Sequence, residues 1–264
     1  MHNRTERPVL AGKTTEKAAL WERILAVLAA LLLWQIAAWA VGNKLLLVSP
    51  VVVVERLFAL VLTGDFWLTA AYSFLRIAEG FLLGVVTGAV LAVLAARFRL
   101  AEVLVWPYMA AVKAVPVASF IILCLIWLDS RQLSVFISFL MVLPIIYTNL
   151  LQGIKSTDSK LLEMASLFRM NWTKRVRYIY LPQMEPYILS ACRVSIGLGW
   201  KAGIAAEVIG IPEGTIGEKL YMAKVHFESG DLFAWTVVIV VVSILFEKGF
   251  VKLLARLLQR REGK

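Results

Sequence analysis

The sequence predicts an all-α, polytopic membrane protein with six transmembrane helices, and three observations support this fold class. The chain has 264 residues, of which 60% are hydrophobic and 17% are charged. A soluble domain of this size would be roughly 45–50% apolar and about 25% charged. The charged residues are also clustered, and the mean hydropathy is +0.78. The long apolar gaps between the clusters indicate one domain embedded in a bilayer.

Six apolar segments are each long enough to cross the ~30 Å hydrocarbon core as a helix, which takes about 20 residues. The predicted spans are Ile24–Val41, Phe74–Ala96, Val103–Leu128, Leu133–Ile154, Pro186–Ile211 and Leu232–Leu254. The segment Val51–Leu62 is apolar but short, which favours an interfacial helix. The first span follows basic residues as a signal peptide does, but its length favours an uncleaved helix. The predicted domains are an N-terminal tail (1–23), a transmembrane domain (24–258) and a C-terminal tail (259–264).

The distribution of Lys and Arg predicts the orientation of the spans. If both termini are cytoplasmic, the cytoplasmic segments contain 19 of the 28 basic residues and the external segments contain six. This excess agrees with the positive-inside rule. We therefore expect both termini and the 155–185 loop in the cytoplasm. The net charge of +10 comes from residues that flank spans and does not indicate a nucleic-acid-binding face.

Small residues recur at every fourth position in two spans, and such rows let helix backbones approach closely in lipid. The first row is Gly80, Gly84 and Gly88. We expect it to pack inside the chain. The second row is Ala191, Ser195, Gly199 and Gly203. It fits internal packing, a homodimer seam and a pathway lining about equally well.

Three prolines, Pro107, Pro116 and Pro144, fall in or near the third and fourth spans. Each removes a backbone hydrogen bond and can kink its helix. Lys113 comes three residues before Pro116, and a charge beside a break indicates a polar or water-accessible position.

Motifs for catalysis and for cofactor binding are missing from the sequence. The two histidines, His2 and His226, form no HExxH pattern, and no GxSxG is present. Gly12–Thr14 matches a phosphate-binding loop poorly, because Arg7 occupies the position of the first glycine. The sequence therefore predicts a chain without catalytic residues, a metal site or a cofactor of its own.

The loop between the fourth and fifth spans contains a basic amphipathic segment, LLEMASLFRMNWTKRVRYIYLP. Its apolar residues are spaced by three or four positions and form one helical face. They are Leu161, Ala165, Phe168, Trp172, Val176 and Ile179. Asp158 or Thr157 can cap a helix that starts near Ser159.

A break near the middle of this segment predicts two short helices rather than one. Asn171 tolerates a left-handed turn, and Pro182 is expected to end the element. The helix pair can dock into a groove on a soluble partner or lie on anionic lipid headgroups. The acidic Glu163 and the two-part shape favour docking.

The same segment resembles the EAA loop of ABC importer permeases, whose pattern is EAA, three residues, Gly, nine residues and Ile-x-Leu-Pro. The matching residues are Glu163, Ala165, Ile179, Leu181 and Pro182. Met164 replaces the first alanine and Arg169 replaces the glycine. From about Leu46 to Leu258, motifs such as SFLRIAEGFLLGVVTG make the chain similar to permeases of the taurine, alkanesulfonate and nitrate importer family.

This resemblance implies a type I ABC importer permease fold, like that of methionine permeases, in the bacterial cytoplasmic membrane. The chain would be the transmembrane subunit that forms the pathway for a small solute, such as a sulfonate, taurine or nitrate. Its implied partners are a second permease copy or a related permease, membrane lipid, two cytoplasmic ATP-binding cassette subunits and an extracytoplasmic solute-binding protein. ATP and Mg²⁺ would be bound, and ATP hydrolysed, by the ATPase subunits.

The resemblance also implies roles for individual residues. Those expected to couple the chain to the ATPase are Glu163, Ala165, Arg169, Asn171, Trp172, Leu181 and Pro182. Leu181 and Pro182 would anchor the return of the loop to the membrane. Lys113, Lys201 and Glu207 are candidates for the translocation pathway, because ionisable side chains at membrane depth are functional candidates.

Two other classes of function remain alternatives at this point. A secondary transporter driven by an ion gradient should carry intramembrane carboxylates and repeat symmetry, and the spans offer little beyond Glu79 and Glu207. A membrane-embedded enzyme should cluster polar catalytic groups at one interface, and the sequence shows no such cluster. An ATP-driven permease is the favoured interpretation.

Overall fold

The computed structural model describes residues 12–43 and 45–259, and the regular secondary structure in them is helical throughout. This confirms the predicted all-α class. A π-helical turn, Val176–Tyr180, lies between two of the α-helices. The α-helices are α1 (Gly12–Val41), α2 (Pro50–Val61), α3 (Gly64–Arg97), α4 (Arg99–Ala114), α5 (Val117–Cys124), α6 (Ser130–Lys155), α7 (Ser159–Leu167), α8 (Trp172–Arg175), α9 (Leu181–Gly210), α10 (Ile216–Val225) and α11 (Ser229–Gln259).

Helices cover all six predicted spans. Among the described residues, three helices are long and apolar enough to cross a membrane: Ile24–Val41 of α1, α3 and α6. The bent pair α4–α5 passes the same test when its two helices are taken together as one broken span. α9 and α11 contain 30 and 31 residues. Their length is therefore roughly 45 Å each, which exceeds the ~30 Å core of a bilayer. The short apolar segment after α1 forms α2, as predicted.

The first helix starts earlier than the predicted boundary between tail and membrane domain. Residues 1–11 and 260–264 lie outside the described residues, but α1 already includes Gly12. The second half of the predicted tail (1–23) is therefore helical, in keeping with its Glu, Lys, Ala and Leu content. Only 6% of the residues in the apolar stretch of α1, Ile24–Val41, are buried within the chain. Its side chains consequently require lipid or another protein as cover.

The third predicted span is broken at Pro116, one of the three prolines expected to kink a helix, and it is not a single helix. It is divided into α4 and α5, which meet at an angle of 104°. Val115 and Pro116 at the break have extended backbone, with ψ angles of 133° and 134°. Proline disfavours helical geometry at the residue before it and donates no backbone hydrogen bond. Pro107 and Pro144, by contrast, lie inside α4 and α6.

The first row of glycines brings α3 and α6 into close contact. Gly80, Gly84 and Gly88 are buried. A Cβ atom added at Gly84 would lie 2.7 Å from Val142 Cγ1, and one at Gly88 would lie 3.0 Å from Ile146 Cβ. Residue numbers rise together along the two helices, so α3 and α6 run parallel. The predicted internal packing of this row is confirmed.

The second row of small residues also faces the interior of the chain. Its four members on α9 are buried. Ser138 Oγ of α6 donates a hydrogen bond of 3.0 Å to the carbonyl oxygen of Gly199, and a Cβ at Gly203 would lie 2.7 Å from Ile77 Cγ1. Of the three interpretations left open by the sequence, internal packing is the one the structure supports. α3, α6 and α9 thus form the centre of the bundle.

Candidate functional site

The first candidate site is the α7–α8 hairpin at one end of the bundle. Asp158 caps α7, because its Oδ1 accepts a hydrogen bond of 2.8 Å from the backbone N–H of Lys160. The helix begins at Ser159, as predicted. The backbone N–H of Asp158 donates to Gln183 Oε1 at 2.9 Å. Gln183 lies on α9, so this bond ties the start of the hairpin to its end. No sequence motif had pointed to Gln183.

The turn between α7 and α8 is built around Arg169, which has a φ of 48°. The backbone N–H of Met170 donates to the carbonyl of Ala165 at 2.9 Å, and the backbone N–H of Arg169 donates to the carbonyl of Ser166 at 3.0 Å. These two bonds form a Schellman motif, which usually has glycine at the left-handed position. Arg169 therefore adopts the conformation that the family glycine would favour.

The prediction that Asn171 takes the left-handed turn is wrong. Its φ is −64° and its ψ is 151°, which is extended backbone. Asn171 instead caps α8, since its Oδ1 accepts a hydrogen bond of 2.7 Å from the backbone N–H of Trp172. Arg175 supports the same turn from the far side, because its Nε donates to the carbonyl of Met170 at 3.1 Å. Arg175 was not among the sequence candidates.

We expect Arg169→Gly to stabilise the folded chain by about 1 kcal/mol, because a left-handed conformation costs an L-residue about 1–2 kcal/mol and glycine little. The measurement is the free energy of unfolding in detergent. Arg177→Gly is the matched control, since Arg177 is exposed in the π-helical turn, and it should destabilise by about 0.5–1 kcal/mol. Equal signs for the two variants would contradict the assignment of strain to Arg169.

The apolar face predicted for this segment is buried at its base and exposed at its tip. Ala165 and Ile179 are 0% and 5% exposed, whereas Phe168 and Trp172 are 76% and 62% exposed. We call the exposed residues the hairpin tip: Glu163, Met164, Leu167, Phe168, Asn171 and Trp172. A fixed base and an apolar, partly charged tip are typical of a surface that another molecule covers.

The prediction that Pro182 ends the element is wrong. Helical backbone continues from α8 through the π-helical turn into α9, and Pro182 is the second residue of α9. Leu181 donates its backbone N–H to the carbonyl of Val176, five residues earlier. Proline donates no backbone hydrogen bond, and here it follows directly after the π-helical turn, in which the backbone bonds reach five residues back and not four. Trp172 and Gly210 are therefore the ends of one helical run.

Glu207 lies at the opposite end of α9 and is 0% exposed. Its Oε2 accepts a hydrogen bond of 2.7 Å from Ser73 Oγ of α3 and one of 3.3 Å from the backbone N–H of Gly217. Ser73 Oγ in turn accepts from the backbone N–H of Ile216 at 2.8 Å. Two N–H groups at the start of α10 are thus satisfied by side chains of α3 and α9.

The three pathway candidates do not come together in the chain. Glu207 is buried, whereas Lys201 is exposed on α9. Six residues separate them, which is 600° around a helix, so they point to different sides. Lys113 is exposed near the end of α4, where its Nζ lies 3.4 Å from Thr148 Oγ1. Their roles in a pathway stay predictions.

The structure also places five polar residues that the sequence did not mark as candidates around one cavity. They are Arg76, Glu79, Thr87, Arg131 and Gln132, between α3 and α6. Arg76 and Arg131 are two of the six basic residues assigned above to external segments, Arg76 because the second span was expected to start only two residues before it, at Phe74. α3 begins at Gly64 instead, and Arg76 is consequently well inside the helix.

Comparison with known proteins identifies the family. The family model for the binding-protein-dependent transport system inner membrane component matches residues 80–263, which is well over half of the chain. This range includes the α7–α8 hairpin and the buried Glu207.

Two curated relatives illustrate the range of the similarity. The permease protein SsuC of Bacillus subtilis, whose name refers to aliphatic sulfonates transport, is 29% identical over 227 residues, covering 85% of this chain and 81% of that protein. The bicarbonate transport system permease protein CmpB of Synechococcus elongatus is 27% identical over 147 residues, covering 55% of this chain and 52% of that protein.

A solved structure supports the fold. The crystal structure of an amino acid ABC transporter with histidines matches with a TM-score of 0.54 and 17% identity, covering 71% of this chain and 90% of that chain. The predicted fold class and the predicted role as a permease subunit rather than an enzyme are confirmed by the family match. The chain belongs to the binding-protein-dependent transport system inner membrane components, the permease subunits of ABC transporters.

Proposed function

We propose that the hairpin tip docks into an ATP-binding cassette subunit in the cytoplasm and transmits its movements to the bundle. The main support for this proposal is that the tip is exposed and apolar. Its base, by contrast, is held by the hydrogen bond between Asp158 and Gln183 and by the turn at Arg169. A rigid element with a buried base moves as one body when a partner moves it. Glu163, Asn171 and Trp172 are the proposed contacts at the tip, and Arg169 shapes it.

Ala165, Leu181 and Pro182 have a different proposed role. Ala165 is buried and its carbonyl accepts the hydrogen bond that closes the turn. Leu181 and Pro182 are partly buried at the start of α9. These three residues fix the position of the hairpin relative to the membrane domain. They act through the shape of the hairpin, without direct contact to the ATPase.

The proposed assembly follows the family. Two permease copies form the pathway, two ATPase subunits bind ATP and Mg²⁺, and a solute-binding protein delivers solute to the end of the bundle that carries Glu207. The excess of Lys and Arg in the terminal segments and in the 155–185 loop supports a cytoplasmic position for both termini and the hairpin. The family membership favours this ATP-driven mechanism over the alternative of a secondary transporter.

The proposed solute is a small anion. SsuC and CmpB are named for aliphatic sulfonates and bicarbonate respectively, and these solutes share a negative charge and small size. Lys113 and Lys201 are cations that could attract such a solute from exposed positions, whereas Glu207 is buried with Ser73 and Gly217. Glu207 therefore supports the pathway by holding α10 in place.

Glu163→Lys is the test of hairpin docking. We expect the variant to lose at least tenfold of its co-purification with co-expressed ATPase subunits, because a reversed charge at a desolvated contact typically costs 2–5 kcal/mol. Glu163 is exposed, so folding of the permease itself should not change. The measurements are the ATPase-to-permease ratio after affinity purification and the solute-stimulated rate of ATP hydrolysis.

Glu213→Lys is the matched control for this experiment. Glu213 is also an exposed carboxylate, but it follows α9 at the end of the bundle opposite to the hairpin. This variant should bind the ATPase subunits as the unmodified chain does. If Glu163→Lys retains full assembly and full stimulated hydrolysis, the assignment of the docking surface is wrong.

A further inference from the structure

The cavity between α3 and α6 has the size of a small-molecule site. Its volume is about 550 Å³, within the roughly 300–1,000 Å³ that such sites occupy. It lies between Arg76 to Thr87 on α3 and the segment from Leu128, just before α6, to Phe139 on α6. This is nearer the end of the bundle opposite to the α7–α8 hairpin. The lining combines five polar side chains with Leu83, Val135, Phe136 and other apolar ones.

Arg76 is held in a fixed position at this cavity. Its Nε donates to Ser134 Oγ at 3.2 Å, and its Nη1 donates to Tyr72 Oη at 2.7 Å. The guanidinium carbon also lies 5.1 Å from the centre of the Tyr72 ring. Ser134 is fully buried. A guanidinium group anchored in this way can present its remaining N–H groups to an anion at little entropic cost.

The charged side chains of the cavity take part in no salt bridge among the described residues. The ion pairs there are Arg56–Asp231, Lys155–Glu102 and Lys219–Asp65. The cavity lining itself contains two guanidinium groups and one carboxylate. The carboxylate of Glu207 is not part of the lining, but it is buried close enough to Arg76 to interact with it electrostatically.

A lipid environment is a poor solvent for this surface. Arg76 is twelve residues from Gly64, about 18 Å along α3 at 1.5 Å per residue. Ionisable side chains inside membranes face water-filled cavities or other protein, because exposure to hydrocarbon is costly. The groove between α3 and α6 must consequently face a water-filled passage or a second permease copy.

We propose that this cavity is a binding site for a small organic oxyanion on its way through the permease. Arg76 and Arg131 would bind the oxyanion, since guanidinium groups match the geometry of sulfonate and carboxylate oxygens. Phe136 and Val135 would contact the short apolar body of the solute. This proposal rests on the proposed function. It adds that residues of α3 and α6 recognise the negative charge of the solute.

Cysteine labelling of the full-length chain in membrane vesicles tests this site without requiring a known solute or an ATPase. Phe136→Cys is introduced into a Cys124→Ala, Cys192→Ala background, whose two native thiols are buried. Labelling rates are compared for two thiol reagents, sulfonatoethyl methanethiosulfonate (an anion) and its trimethylammonium analogue (a cation). We expect the anionic reagent to react about tenfold faster, because charged clefts concentrate ions of opposite sign.

Further arms separate binding from general accessibility. Arg76→Gln should reduce the anion preference to near unity, and Arg131→Gln, which changes an exposed residue, should reduce it even if Arg76→Gln fails to fold. Sodium ethanesulfonate should slow the labelling, whereas sodium chloride at equal ionic strength should not. Leu82→Cys, an exposed α3 position outside the cavity lining, is expected to stay unlabelled in lipid.

Three results would overturn the oxyanion site. They are no labelling of Phe136→Cys, equal rates for the two reagents, and an anion preference that survives both arginine substitutions. Failure of the proposed function would appear elsewhere, as an unmodified chain that binds no ATPase subunit. Arg99→Gln, a charge change at the hairpin end of the bundle, should leave the labelling ratio unchanged.

Discussion

Gly80→Ala is expected to destabilise the permease by about 3 kcal/mol, near the upper end of the range for overpacked cores. The added Cβ would overlap the carbonyl oxygen of Val135 and lie 2.9 Å from Ser138 Cβ. A backbone carbonyl inside α6 cannot turn aside as a long side chain can. α3 and α6 would have to separate, and the α3–α6–α9 centre would lose contacts along its length. Denaturant unfolding in detergent, followed by tryptophan fluorescence, measures the loss.

Gly197→Ala provides the matched control for this substitution. Gly197 also lies inside a long helix, but a Cβ at this position meets no atom within 4 Å. Alanine is a better helix former than glycine by about 0.5–1 kcal/mol. The control should therefore be neutral or slightly stabilising. A similar loss in both variants would mean that helix flexibility, and not close packing, explains the glycines of α3.

Glu207→Leu is expected to release α10 from the bundle. The substitution removes the acceptor for Ser73 Oγ and for the backbone N–H of Gly217. Each buried donor left without a partner costs about 1–3 kcal/mol. Because Gly217 packs directly against Glu207 Cβ, the larger leucine branch would also push against α10. Hydrogen exchange at the start of α10 and the free energy of unfolding measure the two effects.

The comparison of Glu207→Gln with Glu207→Leu separates hydrogen bonding from shape. The glutamine oxygen can replace Oε2 as acceptor, so this variant should lose less stability than the leucine variant. Glu213→Leu, at an exposed carboxylate nearby, should change stability by less than about 0.5 kcal/mol. If the leucine and glutamine variants exchange α10 amides as slowly as the unmodified chain, the proposed role of Glu207 is wrong.

Periodic signals gave the most reliable predictions. Each predicted span contains helix, because an apolar run of 20 residues in a bilayer has few alternatives to helix. The glycine row on α3 correctly predicted packing inside the chain, since small residues at every fourth position leave a groove that another helix can fill. The helix start at Ser159 also followed from local chemistry, the acceptor of Asp158 one residue earlier.

Predictions that depended on conformation at single residues were less successful. Asn171 was expected to take the left-handed turn, whereas Arg169 takes it, with a φ of 48° and the two local hydrogen bonds of the Schellman motif. The carbonyl groups of Ala165 and Ser166 accept the backbone hydrogen bonds of the turn, and these bonds do not depend on the side chain at position 169. Pro182 was expected to end the element, but a π-helical turn directly before it carries the helical run past the proline, and the sequence alone does not reveal such a turn.

The candidate site was predicted only in its local part. The residues of the hairpin are neighbours in the chain, and a spacing pattern can identify them. Arg76 and Arg131 are 55 positions apart, and they share a cavity because α3 and α6 run parallel after an intervening bent pair. Glu207 and Ser73 are 134 positions apart and meet because α9 packs against α3. A single sequence holds no record of such contacts.

The unbroken helical run from Trp172 to Gly210 has a mechanical consequence. At about 1.5 Å per residue its helical path is roughly 55–60 Å long, which exceeds the ~30 Å hydrocarbon core of a bilayer. One end carries the hairpin tip, and the other carries the carboxylate that holds α10. A force applied at one end of this run would reach the other end through continuous helical backbone, and the π-helical turn and Pro186 are the points at which the run can bend. In the proposed assembly, the ATPase subunit contacts one end of this helical run and the solute-binding protein the other. Both partners would then act on the same element.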